Sequence, residues 1–321
     1  YAQDAFDGLR LMDLIVQGDV QQERDAISSR TEKREKAVEK ARAAQVKRAE
    51  SPAMVVTKIK PVTAPAAPFF GTRVVEDLDC RAIWPYLNRK ALTRGQWQMK
   101  RGSRSEAEHD AWLAEHADPV MDRLSLQCLQ EKILQPKVVY GWFRCRGEGD
   151  DLVVLDEDGR TELERFSFPR QAERRRLCIS DFFGEDDVIG MSCVTVGEEA
   201  TARCKSLFEA GDFSEYLYLH GFAVETAEAL AELWHKRMRA ELGIDADDAV
   251  TPEELFRQQY RGSRYSFGYP ACPDMADQTK LFRLLRPERI GCSLTENHQI
   301  DPEQSTSAIV VHHPEAKYFA L

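Results

Sequence analysis

Three strand-like segments separated by short turns constrain the fold more than any other feature of the sequence. They are KVVYGWFRC, DDLVVLDEDG and TELERFSFPR, at residues 137–145, 150–159 and 161–170. Each is rich in β-branched and aromatic residues, and the Gly- and Asp-containing stretches between them predict tight turns. Consecutive strands joined by short turns pair antiparallel, so the sequence predicts a β-meander.

Further strands and several helices accompany the meander. Strands are predicted in DDVIGMSCVTVG, at residues 186–197, and in TSAIVVHHPEAKYFAL, at residues 306–321. Apolar residues three and four positions apart predict helices at residues 105–132, 198–210, 224–242, 252–260 and 274–286. Because the strands arrive in hairpins and the helices are grouped elsewhere, we predict an α+β fold with a twisted, largely antiparallel sheet and flanking helices.

The first 68 residues differ in composition from the rest of the chain. Residues 1–17 have apolar residues near helical spacing, which predicts an amphipathic helix with one face that needs a partner. Residues 18–68 are first highly charged and then rich in proline and small residues, which is typical of a tether. We therefore expect the globular domain at residues 69–321, preceded by a helical tether.

Composition argues against several classes of protein. The 321 residues are 43% hydrophobic and 31% charged, as in globular proteins, and the formal net charge of −10 argues against a general nucleic-acid-binding protein. No apolar run approaches the roughly 20 residues that cross a bilayer, and no secretory signal is recognised, so we expect a cytoplasmic protein without a membrane partner. The eight cysteines are scattered singly, so we predict reduced core thiols and no metal site.

The stretch RGSRYSFGYPACPD, at residues 261–274, combines two arginines, three aromatic residues, two glycines and two prolines. Pro270 and Pro273 exclude an ordinary helix because they lack backbone donors. The glycines permit backbone angles closed to other residues, and the arginines bring forked cationic groups. From the residues alone, the stretch is either a loop that holds an anion or a structural turn.

This loop, together with PFFGTRVV, LCISDF, TAEALAELWHKR and HHPEAKYFAL, closely resembles the C-terminal reactivation domain of cobalamin-dependent methionine synthase. The resemblance covers about residues 68–321, and DAFDGLRLMD resembles the last helix of that enzyme's cobalamin domain. It implies that the chain is the C-terminal part of a larger enzyme. Residues 1–17 would end the cobalamin domain, residues 18–68 would be a linker, and residues 69–321 would be the S-adenosylmethionine-binding domain.

The resemblance also implies a function. The family's domain binds S-adenosylmethionine and supports reductive methylation of inactive cob(II)alamin, which sustains methyl transfer from methyltetrahydrofolate to homocysteine. The chain would then be part of a methyltransferase and would not turn over alone. Its cofactors would be S-adenosylmethionine and cobalamin, with cobalamin held mainly by a domain outside this chain and zinc only in the homocysteine domain. Its partners would be the cobalamin domain of the same enzyme and a flavodoxin-like or other electron donor.

The family's binding residues can be carried onto this sequence one by one. Arg264 matches the motif arginine and is expected to hold the ligand's α-carboxylate. Ser266, Gly268 and Tyr269 follow on the same loop, where backbone groups would contact the adenosyl part. Glu228, on the predicted helix at 224–242, is expected to pair with the ligand's ammonium group.

Three further positions complete the implied site. Tyr318 and Phe319 match an aromatic pair on the predicted last strand, where alternation lets only one of them face the ligand, and we favour Tyr318. Asn88 stands where many relatives have an aspartate, and it would accept a hydrogen bond without supplying charge. No catalytic side chain is expected, because cob(I)alamin is itself the nucleophile and the sulfonium is an activated donor, so the protein supplies position.

Two other classes of function stay open at this point. A non-catalytic interaction module that docks on a cobalamin domain or an electron donor would not bind S-adenosylmethionine. A methyltransferase of Rossmann type would need an early strand, a glycine-rich loop and then an acidic residue. GEGDDL at residues 147–152 does not supply that loop, because Leu152 stands in place of the last glycine and the segment lies in a predicted hairpin.

Overall fold

A seven-stranded antiparallel sheet organises the part of the chain that the computed structural model describes, residues 59–172, 175–246 and 248–320. The predicted helix at 1–17 and the predicted tether up to residue 58 lie outside the described residues. Strands β1 to β9 span Gly71–Val75, Lys137–Glu148, Asp151–Leu155, Glu162–Ser167, Asp187–Thr195, Ser263–Tyr265, Ser293–Leu294, Ile300–Asp301 and Ser305–Val311.

The strands of the large sheet lie in the order β4-β3-β2-β5-β9-β6, and every neighbouring pair is antiparallel. β1 pairs with the beginning of β2, on the same edge that β3 occupies further along. β7 and β8 form a separate short hairpin. The predicted meander is present as β2, β3 and β4, and the predicted α+β class with a largely antiparallel sheet is confirmed.

Helices flank the sheet on both faces. Helices α1 to α7 span Cys80–Ile83, Glu106–His116, Asp118–Gln130, Glu198–Glu209, Phe213–Glu241, Pro252–Leu255 and Gln278–Leu285. The single helix predicted at 105–132 is two helices, because α3 begins anew with Pro119 in its first turn, where a missing donor is tolerated. α5 begins earlier than predicted, because the Asp212 carboxylate accepts the backbone N–H of Glu215 and caps the helix there.

The central strand β2 shows how the sheet divides the core. Its side chains alternate between two buried clusters on opposite faces. Tyr140 and Trp142 point into the cluster that α5 covers, whereas Val139 and Phe143 point into the cluster that α7 covers. The long helix α5 is thereby fixed across one face of β5 and β9, next to the edge strand β6.

Two predicted elements are shorter than expected. The strand predicted at 306–321 is wrong beyond Val311, where β9 ends, and Pro314 has no backbone N–H with which to continue a ladder. The helix predicted at 252–260 ends at Leu255, because the backbone turns through a left-handed conformation shortly afterwards. Both irregular segments border the cavity described below.

Other expectations concern cysteines, metals and membranes. All eight cysteines are unpaired and buried, which confirms the prediction of core thiols. Among the described residues, no group of three or more His, Cys, Asp and Glu side chains is arranged to hold a metal ion. None of the helices in the described ranges has the length and apolar character needed to cross a membrane.

Residues that precede Phe69 already contact the folded domain. Ile59 packs against the core on the α7 side of the sheet, and the His313 ring Nε2 lies 2.9 Å from the Lys60 carbonyl oxygen. The compact unit accordingly spans Thr57–Leu321. These contacts favour a domain start at or before Ile59. The start at Phe69 stays a prediction.

This difference can be tested by truncation. A chain that begins at Phe69 is expected to have a free energy of unfolding about 1–3 kcal/mol lower than one that begins at Thr57, because it loses the Ile59 packing and the hydrogen bond to His313. Urea denaturation of both chains measures the difference. Equal midpoints would show that residues 57–68 do not contribute to the domain.

Candidate functional site

A cavity of about 210 Å³ lies between α5, β6 and two irregular segments, one after α6 and one after β9. Its walls combine aromatic rings with a few charged groups. The lining residues are Tyr260, Tyr265, Tyr269, Tyr318, Phe256, Leu255, Gln258, Ser266, Glu228, Glu232 and Arg264. Aromatic faces beside a small number of fixed charges suit an organic ligand that itself carries positive charge.

Arg264 reaches this cavity because β6 presents it on the sheet face that α5 covers. It lies opposite Val310 of β9, whereas the next residue, Tyr265, is buried in the core on the other face. Gly262, just before β6, has a φ of +85°, and a Cβ there would collide with the Val311 carbonyl oxygen. The close approach of the loop to β9 therefore requires glycine at this position.

Three charged side chains meet at the cavity wall. Glu228 and Glu232 are four residues apart on α5, so they lie on one helix face. The Arg264 Nη2 atom is 3.3 Å from a Glu228 carboxylate oxygen and 3.6 Å from a Glu232 carboxylate oxygen. The Glu232 side chain is 8% exposed, whereas that of Glu228 is 44% exposed. One cation is thus shared by a solvent-facing and a buried carboxylate.

Burial changes the protonation equilibria of the cluster. It raises the pKa of the Glu232 carboxyl, while Arg264 and Arg239 oppose that shift. Burial acts to lower the pKa of Arg264, but Glu228 and Glu232 outweigh it and the net direction is upward. Burial, followed by the nearby Glu232, raises the pKa of Tyr260 to about 12. The cavity therefore keeps a permanent cation and a neutral phenol at neutral pH.

A second layer of charged residues supports Tyr260 from behind. The Arg239 guanidinium lies over the Tyr260 ring, 4.1 Å from its centroid, and Lys317 approaches the same ring at 5.3 Å. Arg239 is itself paired with Asp248 at 2.6 Å. His235 contacts Tyr260 edge-on, and burial, aided by Arg239, holds its pKa well below the ordinary value. His235 is therefore a neutral packing residue.

A second cavity, of about 440 Å³, adjoins the first and shares Glu228, Ser266 and Tyr269 with it. Its remaining walls are mainly hydroxyl, amide and carboxylate groups, from Gln278, Thr295, Gln299, Asp301, Glu303, Ser305, Thr306 and Ser307. Because three residues wall both cavities, the two form neighbouring parts of one surface. A ligand longer than an amino acid has room to extend along it.

Comparison with known proteins assigns the chain that forms this site to a family. Residues 83–321 match the model of the family described as vitamin B12 dependent methionine synthase, activation domain. The chain belongs to this family. The match covers the sheet from β2 onwards, α5 and every residue that lines the first cavity. It confirms the resemblance that was inferred from the loop at 261–274 and its companion segments.

Relatives of the activation domain extend the comparison. The methionine synthases of Mycobacterium tuberculosis and Mycobacterium leprae are 40% and 37% identical to this chain, each over 99% of its length. The chain spans 29% of the length of either relative. The crystal structure of the MetH reactivation domain bound to AdoHcy matches 81% of this chain and 83% of its own, with a TM-score of 0.71 and 28% identity.

Five of the eight predicted site residues line the first cavity of the activation domain. Arg264, Ser266 and Tyr269 reach it from β6 and the following loop, Glu228 from α5, and Tyr318 from the segment after β9. Tyr318 is positioned by a different element than predicted. It does not lie on a strand, and its backbone N–H donates to the Gln258 side-chain oxygen at 3.0 Å. The roles of these residues as ligand contacts stay predictions.

The other three predicted residues do not line the cavity. Gly268 shapes the turn before Tyr269: its φ is +89°, and a Cβ would lie 2.7 Å from the Met275 sulfur. Phe319 is buried, with its ring centroid 6.0 Å from that of Tyr265. The Asn88 side-chain oxygen accepts the backbone N–H of Ala91 at 3.0 Å and caps a helical turn there. A ligand contact by Asn88 stays a prediction.

The sequence analysis missed six of the residues that line this cavity: Glu232, Leu255, Phe256, Gln258, Tyr260 and Tyr265. Glu232 carried a usable signal, because it is four residues after Glu228 and a helix places both on one face. Gln258 and Tyr260 lie in the irregular segment that was predicted to be helix, and Gln258 has a φ of 57°. No periodicity marks such residues, so only the folded chain brings them to the site.

Proposed function

We propose that this activation domain binds S-adenosylmethionine in the tyrosine-lined cavity and holds its methyl group for transfer to the cobalamin of the same enzyme. The observation that carries the proposal is the contact of Arg264 with two carboxylates at the cavity wall. The solved reactivation domain that this chain resembles is bound to AdoHcy, the demethylated counterpart of the proposed ligand. That resemblance supports the assignment.

The charged groups of the cavity are complementary to the amino-acid part of the ligand. Its carboxylate would pair with the Arg264 guanidinium, which offers two parallel donors, and its ammonium would pair with Glu228. In the protein alone these two side chains pair with each other at 3.3 Å. The ligand's two charges can therefore replace an existing ion pair without leaving either side chain unpaired, while the aromatic faces accept the sulfonium.

The two cavities are far too small to enclose a corrin, so the described residues fit a site for the methyl donor. Cobalamin would accordingly be held mainly by another part of the enzyme. In its reduced form it would supply the nucleophile, and the neutral thioether that the sulfonium becomes needs no acid or base to leave. The task of this chain is to bind and orient the donor, because alignment of the reacting groups alone can lower a barrier by roughly 7–11 kcal/mol.

The proposal extends to the whole enzyme. We infer a methyltransferase that moves a methyl group from methyltetrahydrofolate to homocysteine, in which this chain serves reactivation and does not turn over alone. Its partners would be the cobalamin domain and a flavodoxin-like or other electron donor. A cytoplasmic location belongs to the same proposal, because eight free buried thiols suit a reducing compartment.

Isothermal titration calorimetry of the chain with S-adenosylmethionine tests the proposal. Saturable binding with one ligand per chain is the expected result, and it would set aside a purely non-catalytic docking module. Absence of binding up to millimolar ligand would contradict the proposal. A second assay mixes the chain with a separately prepared cobalamin domain and a chemical reductant, and follows methylcobalamin formation by its absorption spectrum.

Glu228→Gln is expected to weaken S-adenosylmethionine binding about tenfold at low ionic strength, because it removes the charge proposed to hold the ammonium. The loss should shrink as salt is added, since the Glu228 side chain is 44% exposed and solvent ions can screen it. Calorimetry at low and high ionic strength measures both effects.

Glu225→Gln is the matched control. The Glu225 carboxylate is buried one turn earlier on α5, accepts a hydrogen bond from Gln96 and lines neither cavity. Equal affinity of the Glu228 variant at every ionic strength would assign the ammonium to another group.

A further inference from the structure

Glu232 is the charged residue of the cavity wall to which the proposed function assigns no ligand contact. It lines the cavity, yet the residue is only 6% exposed. One of its carboxylate oxygens lies 3.6 Å from Arg264, and the other, Oε1, is buried with no hydrogen-bond partner among the described residues. An unpartnered, buried carboxylate oxygen is costly to maintain. Its retention at a cavity wall points to a ligand that carries positive charge.

The charges at the cavity wall do not balance. With both carboxyl groups ionised, Glu228 and Glu232 bring two negative charges against the one positive charge of Arg264, so the three groups together carry one net negative charge. Behind them, Arg239 is paired with Asp248 and His235 is held neutral, while Lys317 adds one positive charge. Lys317 does not line the cavity, and its ammonium group donates to the backbone carbonyls of Gln258 and Tyr260.

The donor and product forms of the proposed ligand differ in net charge. S-adenosylmethionine has a carboxylate, an ammonium and a sulfonium, and so carries one net positive charge. When the methyl group leaves, the electron pair of the S–CH₃ bond stays on sulfur, and the product is a neutral thioether with no net charge. A single extra carboxylate at the wall therefore distinguishes donor from product, although the two molecules differ by only one methyl group.

We propose that Glu232 is the residue that makes the cavity prefer the sulfonium donor over the thioether product. The inference rests on the proposed function, since it assumes that this ligand pair enters the cavity. Glu228 and Arg264 contact groups that both ligands share, so they set affinity for both. Glu232 supplies the excess negative charge that only the sulfonium form can use. The consequence for the reaction is release of the spent product.

The tyrosine rings offer a competing source of the same preference, because aromatic faces also attract cations. The two sources respond differently to the loss of one charge. If the rings are responsible, neutralising Glu232 leaves the preference unchanged. If Glu232 is responsible, the preference falls while binding of the neutral thioether is kept. The ratio of the two affinities therefore separates a role in ligand selection from a merely structural role, which would weaken both ligands together.

The test measures affinities for S-adenosylmethionine and S-adenosylhomocysteine by calorimetry on the full chain. The unsubstituted protein is expected to prefer the sulfonium. Glu232→Gln should lower that preference about tenfold, with thioether affinity within about twofold of the parent. Glu225→Gln should leave the ratio unchanged. An unchanged ratio in Glu232→Gln, or an equal loss for both ligands, overturns the inference but leaves the proposed function standing. If the parent binds neither ligand, the proposed function itself fails.

A second variant keeps the inference testable if Glu232→Gln does not fold. Glu232→Asp preserves the charge and shortens the side chain by one methylene group. It is expected to keep the preference for the sulfonium even where both affinities fall, because net charge is what distinguishes the ligands. A ratio near one in a folded Glu232→Asp variant overturns the inference. Thermal unfolding monitored by circular dichroism establishes that each variant is folded before its ratio is measured.

Discussion

Arg264→Ala is expected to weaken binding of S-adenosylmethionine by roughly 30-fold to several thousand-fold, a loss of about 2–5 kcal/mol, while the domain stays folded. The side chain is mostly buried and would form two charge-assisted bonds to the ligand carboxylate, so its removal leaves that carboxylate without a partner. The fold should survive because the buried Glu232, deprived of its cation, can take up a proton. Calorimetry measures the affinity, and circular dichroism measures the fold.

Arg264→Lys serves as the graded control. Lysine keeps the positive charge but not the planar fork, so it should recover only part of the lost affinity. A gain from alanine to lysine to arginine would show that both charge and geometry matter. If the alanine variant binds S-adenosylmethionine as tightly as the parent, Arg264 does not belong to the site, and the carboxylate must be held elsewhere.

The sheet illustrates which parts of the fold a sequence can predict. β2 to β5 were predicted because long runs of apolar and β-branched residues alternate with turn signals. β6 was not predicted, because Ser263–Tyr265 is only three residues long and its place at the sheet edge depends on pairing with β9. A strand must be several residues long before the alternation of its side chains can be recognised in the sequence. Short elements are fixed by tertiary contacts, such as the approach of Gly262 to the Val311 carbonyl oxygen.

The cavity likewise contains residues that the sequence predicts and residues that only tertiary contacts place. Arg264 and Glu228 were selected because a family motif surrounds each of them, and the structure brings their side chains to 3.3 Å from each other. The preference for Tyr318 over Phe319 rested on strand alternation, yet neither residue lies on a strand. Tyr318 borders the cavity because its backbone bonds to Gln258, whereas Phe319 is packed in the core. Tyr318 therefore lies at the cavity for a reason that the sequence did not contain, and its contact with the ligand stays a prediction.

The buried ion pair behind the cavity should have the largest effect on stability. Arg239 and Asp248 are 2.6 Å apart, and their side chains are 1% and 5% exposed. Asp248→Ala would leave the Arg239 guanidinium buried without a counter-charge, and breaking such a pair from one side costs about 3–5 kcal/mol. Since Arg239 lies over the Tyr260 ring, its displacement should also weaken ligand binding. Urea denaturation measures the free energy of unfolding.

Two further variants identify burial as the cause. Arg239→Met combined with Asp248→Ala removes both charges, and should be less destabilising than Asp248→Ala alone, because no unpaired charge stays inside. Glu209→Ala breaks the exposed pair between Lys205 and Glu209 on α4, and should leave the unfolding midpoint nearly unchanged, since exposed pairs contribute little. If the double variant were as unstable as the single one, the loss would come from the packing of these side chains, and the unpaired guanidinium would not be its source.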